Sequence, residues 1–407
     1  MLKLFVMNIT GLDSRWIRPE TMPFLAEARS RCPAFSLRNY PSNDILPSIL
    51  TGTYPPEHGI WGVRLKESAD APRGSGIVPD ILTTSVQCMR HWITGEFDLS
   101  AIPPWRRKRF EITRSKYRRF ARPWDVLSEI GGRVSVMGAV GRDQTRYQFR
   151  SPSDPVGEVL PDCANGDVAL DWLELYTINR IQQWYADSVR VGRWYGKVDE
   201  FVKAACEKCA NNGVLPVLVN EHGHEPVRRS IDLQAALRKS GLADDEYSYF
   251  LELPMVRFWF HTERARETIG TLLGEMEMVH VFRHDEMGPL HLDFGDTSYG
   301  ELFGFLEPGN IFFPHDFHHP LGNFYLGLGD RKQWPRIADA RQRSNCGYLP
   351  GNDCEKGIFL VFDESLRAAA PSGTVIDVAP TLLSLLEVET PDTMKGTVLC
   401  VRGAGEC

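Results

Sequence analysis

The sequence predicts an α/β fold in which helices are layered on a central, largely parallel sheet. Three observations predict it. Short apolar runs of strand length recur at 2–9, 214–219 and 356–362. Helical patterns follow them at 23–31, 197–210 and 377–388. Strands that alternate with helices are covered on both faces, which favours parallel pairing. The third observation is size: 407 residues, 43% of them hydrophobic, suffice for one large domain carrying insertions.

Each element has its own justification. Residues 2–9 form an apolar run that ends in Thr10-Gly11, a strand and then a loop. In 23–31, Phe24, Leu25 and Ala28 recur at helical spacing. The run PWDVLSEIGG reads as a helix with a glycine stop, and GRVSVMGAV at 132–140 alternates as a strand. Residues 197–210 are amphipathic, VLPVLV is a buried strand running into NEHGHEP, and KGIFLVF is another buried strand. Asp377 stands where it would cap the helix DVAPTLLSLLEV. Two segments interrupt this rhythm: 63–121, which contains WRRKRFEITRSKYRRF, and 229–333, rich in aromatics and histidine. Both read as insertions or caps within a single domain spanning 1–407. Ligands of such sheets bind outside the carboxyl ends of the strands, so the loops after Ile9, Asn39 and Val219 are where chemistry is expected.

Composition excludes several classes. A net charge of −7 makes no global case for nucleic acid or a membrane surface, and no apolar run reaches the roughly 18 residues that span a bilayer. The stretch MLKLFVMNITG reads as a buried strand, not a signal peptide. Nine scattered cysteines favour a reducing, cytoplasmic location. Cys206 and Cys209 form a CxxC within a helical pattern, with no second pair at zinc-site spacing. One local contrast stands out: eight of the fourteen residues 106–119 are basic. That run would suit an anionic substrate or an acidic carrier or partner protein, or it is a solvated flap. No nucleic-acid module accompanies it.

Five segments, in order, resemble the alkaline phosphatase superfamily, closest to its type I phosphodiesterase and nucleotide pyrophosphatase branch. They are TGLDSRWIRPETMPFLAEA, YPSNDILPSILTGTYPPEHGI, PWDVLSEIGGRVSV, VLVNEHGHEP, and NCGYLPGNDCEKGIFLVF followed by IDVAPTLLSLLEVETPDTMKG. The resemblance implies an alkaline-phosphatase-like core. It also implies two divalent metals, commonly zinc, held by Asp and His at several strand ends, which activate a Ser or Thr nucleophile. Metals suit in-line displacement because they deprotonate the hydroxyl and neutralise the oxygens that gain charge. The family nucleophile lies nine residues before the Thr of the Thr-Gly pair, which here is Ser42, counted from Thr51.

The metal ligands implied by the resemblance are largely replaced. Thr10 stands where the first Asp belongs, although a register slip would put Asp13 there. Tyr176 and Arg180 in LELYTINR fall where an Asp and a His four residues on are expected. The Asp-His pair becomes Glu221-His222, and the last His becomes Cys346. An arginine repels a cation and presents a planar fork to oxyanions. Arg180 therefore replaces one metal as an anion clamp, or it lies on a helix surface. One divalent ion, zinc or similar, could be rebuilt from Glu221, His222 and His224, with His315, Asp316, His318 and His319 of FFPHDFHH as further donors; otherwise no metal is held. His222 is also the candidate base for Ser42, and Cys346 is a candidate nucleophile or a small stand-in for a lost ligand. Asn43 and Asp44 share the Ser42 loop, as site groups or turn caps, and Ser48 matches a family Ser.

Three functions are compatible with these residues. The first is an enzyme with a metal-poor site, hydrolysing or transferring the phosphoryl, sulfuryl or carboxyl group of a small anionic metabolite. The second is a metal-dependent phosphodiesterase or phosphatase with ligands drawn from the His-rich loop. The third is a non-catalytic protein that binds an anionic ligand or partner.

Overall fold

The computed structural model describes residues 2–42, 44–62, 64–66, 110–112, 127–150, 168–185, 188–313, 315–316 and 343–402. They fall into two compact units. The first, from 1–60, 114–224 and 350–407, contains a seven-stranded sheet. Its strands in chain order are β1 (Lys3–Ile9), β2 (Ala34–Arg38), β3 (Thr145–Arg150), β4 (Leu170–Leu175), β5 (Val214–Asn220), β6 (Gly357–Val361) and β7 (Gly373–Thr374). Across the sheet the order is β7-β2-β6-β5-β1-β4-β3. Only β6 runs against its neighbours; the remaining pairs are parallel. The expected α/β layering with a largely parallel sheet is therefore observed.

The helices of this unit include α1 (Pro23–Arg31), α2 (Leu46–Thr51), α3 (Thr177–Trp184), α4 (Ser188–Ala210) and α5 (Val378–Leu385). On one face, Phe5, Met7 and Ile9 of β1 alternate inward and join Leu173 and Leu175 of β4 against Leu25 of α1 and Tyr195, Val198 and Val202 of α4. Period two on the strands meets period 3.6 on the helices, which explains why both patterns were visible in the sequence. The CxxC of α4 is divided between environments: Cys209 is in the core, Cys206 is half-buried, and neither is in a disulfide.

Two elements differ from expectation. Residues 132–140 do not form one strand. A short hairpin of Glu129–Ile130 with Arg133–Val134 is followed by a helical turn, Val136–Val140. Ser135 caps that turn, accepting from the Gly138 amide at 3.2 Å. A Cβ at Gly138 would lie 2.4 Å from the Ser128 carbonyl oxygen, so this glycine serves close packing of the turn and not strand alternation. Asp377 does occupy the N-cap of α5, but its carboxylate accepts from the amides of Thr374 and Thr397, both at 2.7 Å. It ties together the chain on either side of the helix.

The second unit, from 61–113 and 225–349, contains an antiparallel sheet of Tyr247–Leu251, Met255–Phe260, Leu302–Leu306 and Val279–Arg283, in that spatial order. Helices Leu233–Lys239 and Glu263–Gly274 cover it through Leu237, Ile269 and Leu273. Arg257 is fully buried and pairs with Glu252 at 2.9 Å. Its guanidinium lies 5.2–5.9 Å from the ring centroids of Phe250, Trp61, Trp259 and Tyr299.

A buried chain of hydrogen bonds supports α2. Tyr40 Oη and Ser48 Oγ are 2.8 Å apart, and Ser48 Oγ is 2.9 Å from His58 Nε2. His58 Nδ1 accepts from the Ile60 amide at 3.2 Å, so Nε2 carries the proton and donates to Ser48. Burial, and then the charge of Arg133, push the His58 pKa down to about 3. The unfolded chain takes up this proton near pH 6.5 and the folded chain does not. Stability is therefore full above pH 6.5 and falls as pH drops toward 3, by about 1.4 kcal/mol per pH unit for this one group. Urea unfolding at pH 7.5 and pH 5 should show that slope in the wild type and a shallower one in His58→Gln. Equal slopes would remove His58 from this role.

Candidate active site

All the loops singled out in the sequence leave the same end of the main sheet. Because β6 is antiparallel, Glu355 and Gly357 also enter at that end, Ile358 lying in register with Asn220. Three asparagines stitch the strand ends together. Asn8, oriented so that its amide nitrogen faces acceptors, donates to the Val219 carbonyl and to Glu221 Oε2, each at 3.2 Å. Asn39 donates to the Glu221 carbonyl at 3.0 Å. Asn220 donates to the carbonyls of Ile9 at 3.1 Å and His222 at 2.8 Å. Sequence reasoning missed these residues, although a polar Asn near the end of three apolar runs was a visible signal. Glu221 is thereby fixed through both its side chain and its backbone.

His222 is buried, and its Nδ1 lies 2.8 Å from the Gly223 carbonyl. A carbonyl only accepts, so Nδ1 bears the proton and Nε2 is the basic nitrogen. Nε2 is 4.0 Å from Glu221 Oε1. Burial lowers the His222 pKa, against the opposing pull of Glu355, the Gly223 carbonyl and Asp13. The His224 ring lies 5.5 Å from that of His222, centroid to centroid. Its Nε2 donates to Asn179 Oδ1 at 2.5 Å, which makes Nδ1 its basic nitrogen.

The His222-Gly223-His224 loop is held by the loop after β1. Asp13 accepts from the His224 amide at 3.3 Å, and Arg15 bonds both Asp13 and the His224 carbonyl. Tyr195 accepts from the Asp13 amide at 3.1 Å and donates to Gln182 at 2.9 Å, and Gln182 donates to the Gly11 carbonyl at 2.6 Å. Asp13 is thus a clamp on the loop, and Thr10 is the residue that directly follows β1, its amide bonded to the Leu175 carbonyl at 3.1 Å. Gly11 has φ +80°, and a Cβ there would lie 2.9 Å from Asn179 Cα and 3.0 Å from His224 Nε2. Gly11→Ala should therefore destabilise the protein by about 2–4 kcal/mol, from left-handed strain and from the clash with helix backbone. A urea midpoint equal to that of the wild type would contradict this packing.

Ser42 is buried at the start of its loop. Its Oγ donates to the Asp44 carbonyl and accepts from the Asp44 amide, both at 3.1 Å, a local turn. Asp44 is buried beside it, and Asn43 lies outside the described residues. Tyr176 follows β4 directly and is half-buried, its ring 5.8 Å from that of Phe149. Arg180 closes the first turn of α3, its amide on the Tyr176 carbonyl at 3.2 Å. It is only 5% exposed, so it is not a surface residue of that helix. Thr10 Oγ1 and Thr177 Oγ1 are both buried without a hydrogen-bond partner among the described residues.

The remaining expected site residues belong to the second unit or lie outside the described residues. Asp316 is buried in the second unit, where its carboxylate accepts from the Leu251 amide at 2.6 Å. Its neighbour His315 is buried too, and burial lowers its pKa to about 3. Cys346 is a buried residue of the second unit. His318 and His319 lie outside the described residues, as does the 106–119 run apart from strand Phe110–Ile112. Among the described residues, no helix is long and apolar enough to cross a membrane.

The fold is that seen in solved nucleotide pyrophosphatases/phosphodiesterases, the alkaline-phosphatase-like fold expected from the five segments. Murine ectonucleotide pyrophosphatase/phosphodiesterase 5 (ENPP5), solved in an inactive form in complex with AMP, matches with a TM-score of 0.64, 13% identity and 98% coverage of each chain. A second murine ENPP5 structure gives 0.61, and human ENPP5 gives 0.64, each at 13% identity and 97% coverage of both chains. At that identity the likeness is one of fold. No protein-family model and no curated protein matches the chain.

The two-metal arrangement that the resemblance implies does not fit these residues. Where carboxylate and imidazole are expected after β4, the chain has Tyr176 and a buried, permanently charged guanidinium. After β1 it has a neutral hydroxyl. His222 and His224 do offer two imidazoles with ligand nitrogens within 4.8 Å of one another. They are two of the three or four donors that a zinc site takes, so these residues do not fit two metals but are part of what a single ion would need.

Proposed function

We propose that the protein is an enzyme of this fold that acts on a small anionic metabolite, with positive charge supplied by Arg180 in place of one metal. One observation carries the reading. The buried Thr10 hydroxyl has no partner among the described residues, and it follows β1 directly, bonded through its amide to the strand that leads into Arg180's helix. Leaving a buried hydroxyl unsatisfied costs about 1–3 kcal/mol, which a bound oxyanion would recover. In this reading Arg180 grips the phosphoryl, sulfuryl or carboxyl oxygens and Thr10 and Tyr176 complete the cradle. His222 Nε2 accepts a proton from Ser42 or from a substrate hydroxyl. Ser42 Oγ then attacks the phosphorus, sulfur or carboxyl carbon, the ester oxygen leaves with the proton held on His222, and water or an acceptor hydroxyl afterwards takes the group off Ser42. The cysteines described are all outside disulfides, which fits a reducing compartment.

The test is calorimetric titration of the full chain with inorganic phosphate and with sulfate, before and after exhaustive chelation. Binding that survives chelation supports the reading. Binding that requires a restored divalent ion, or no binding at all, sinks it.

A second reading rests on the paired imidazoles. A single divalent ion would sit on His222 Nε2 and His224 Nδ1, with a third donor from a carboxylate or thiolate beyond that pair. The Nδ1–H bond of His222 to a backbone carbonyl is the kind of support that orients a ligating imidazole. Such an ion would activate a hydroxyl; His222 would then be its ligand and no longer a base. Cys346 stays a candidate thiol, and turnover by Cys346→Ser equal to that of the wild type would exclude it as nucleophile.

A further inference from the structure

The end of the main sheet opposite the candidate site carries a cavity of about 460 Å³. It forms where the amino ends of β1 and β5 and the carboxyl end of β6 meet α1 and α4. Leu2, Phe24, Ala28, Val214, Leu215 and Phe362 give it apolar walls, and the rings of Phe24 and Phe362 stack with centroids 5.9 Å apart. A seven-residue strand at ~3.3 Å per residue sets it about 20 Å from Thr10, so it is separate from that site. Two half-buried thiols, Cys32 and Cys206, line it.

The polar lining is unbalanced. Among the described residues that line it, Glu27, Asp363 and Glu364 are present with a single cation, Arg31. Arg31 bridges Glu27 at 3.0 Å and Glu364 at 2.7 Å. Asp363 spends one oxygen on Ser365, at 2.9 Å from the amide and 2.6 Å from the hydroxyl. Three carboxylates facing one guanidinium leave the mouth negative above an apolar interior. Such a site repels anions and offers a neutral hydrocarbon nothing polar to anchor it.

We propose that this cavity binds a small amphiphilic amine, its hydrocarbon chain or ring between the apolar walls and its ammonium at the surplus carboxylates. The thiols supply the readout. Alkylation of Cys32 and Cys206 by N-ethylmaleimide is followed by mass spectrometry in the intact protein, with the core residue Cys209 on the same helix as Cys206 reporting any unfolding. Hexylamine should slow both thiols by a factor of one plus its concentration over Kd, about fivefold at four times Kd. Hexanoate should not protect, and a Glu27→Gln/Glu364→Gln protein should lose protection by hexylamine while Cys209 stays unreactive. Unchanged alkylation with hexylamine overturns the proposal. Equal protection by hexanoate also overturns it, because charge would then play no part.

Discussion

His222→Asn should lower turnover by about 10²–10⁴-fold on whichever ester the wild type cleaves in a panel of phosphate and sulfate esters. The asparagine amide nitrogen matches Nδ1 and can still donate to the Gly223 carbonyl, while Asp13 and Arg15 continue to hold the loop. Asparagine has no basic nitrogen to replace Nε2. The locked tautomer makes the prediction sharp: with Nδ1 committed to a carbonyl, every proton taken from a hydroxyl must go to Nε2. Steady-state kinetics separate the roles. Loss in kcat with KM near the wild-type value marks a base, whereas a variant that turns over as fast as the wild type removes His222 from the chemistry.

Arg180→Met should weaken phosphate binding by about 10–100-fold, the worth of one charge-assisted, bidentate contact. Methionine approximates the length and apolar stem of arginine, so the effect reads the guanidinium more than the packing. Arg180→Lys should recover only part of the loss, because an ammonium keeps the charge but not the planar fork. Isothermal titration of the three proteins tests this. Phosphate affinity in Arg180→Met equal to that of the wild type would return Arg180 to a structural role.

How much the sequence revealed depends on the range of the interaction. Strands 3–9, 214–220 and 357–361 and helix 23–31 were visible because each is a local pattern of apolar residues. The 132–140 stretch misled because its alternation is also compatible with one helical turn, and the deciding contact is Gly138 against Ser128. Asp377 showed its position but not its partners, since Thr397 lies 20 residues away. The loops of the candidate site were found through their resemblance to known segments. What holds them was not. Asn39 reaches Glu221 across 182 residues, and Asn220 reaches Ile9 across 211. No local pattern encodes such pairs. The same holds for Asn179: it stands between Tyr176 and Arg180, the two positions the resemblance singled out, and it is the residue bonded to His224.

The central claim is that a protein cation has replaced metal charge at this site. Metal content of the purified chain, measured by inductively coupled plasma mass spectrometry after equilibration with zinc and removal of the excess, tests it most directly. The claim predicts at most one tightly bound ion per chain, because only the His222–His224 pair offers clustered imidazoles among the described residues of the first unit. Two tightly held ions per chain would contradict it.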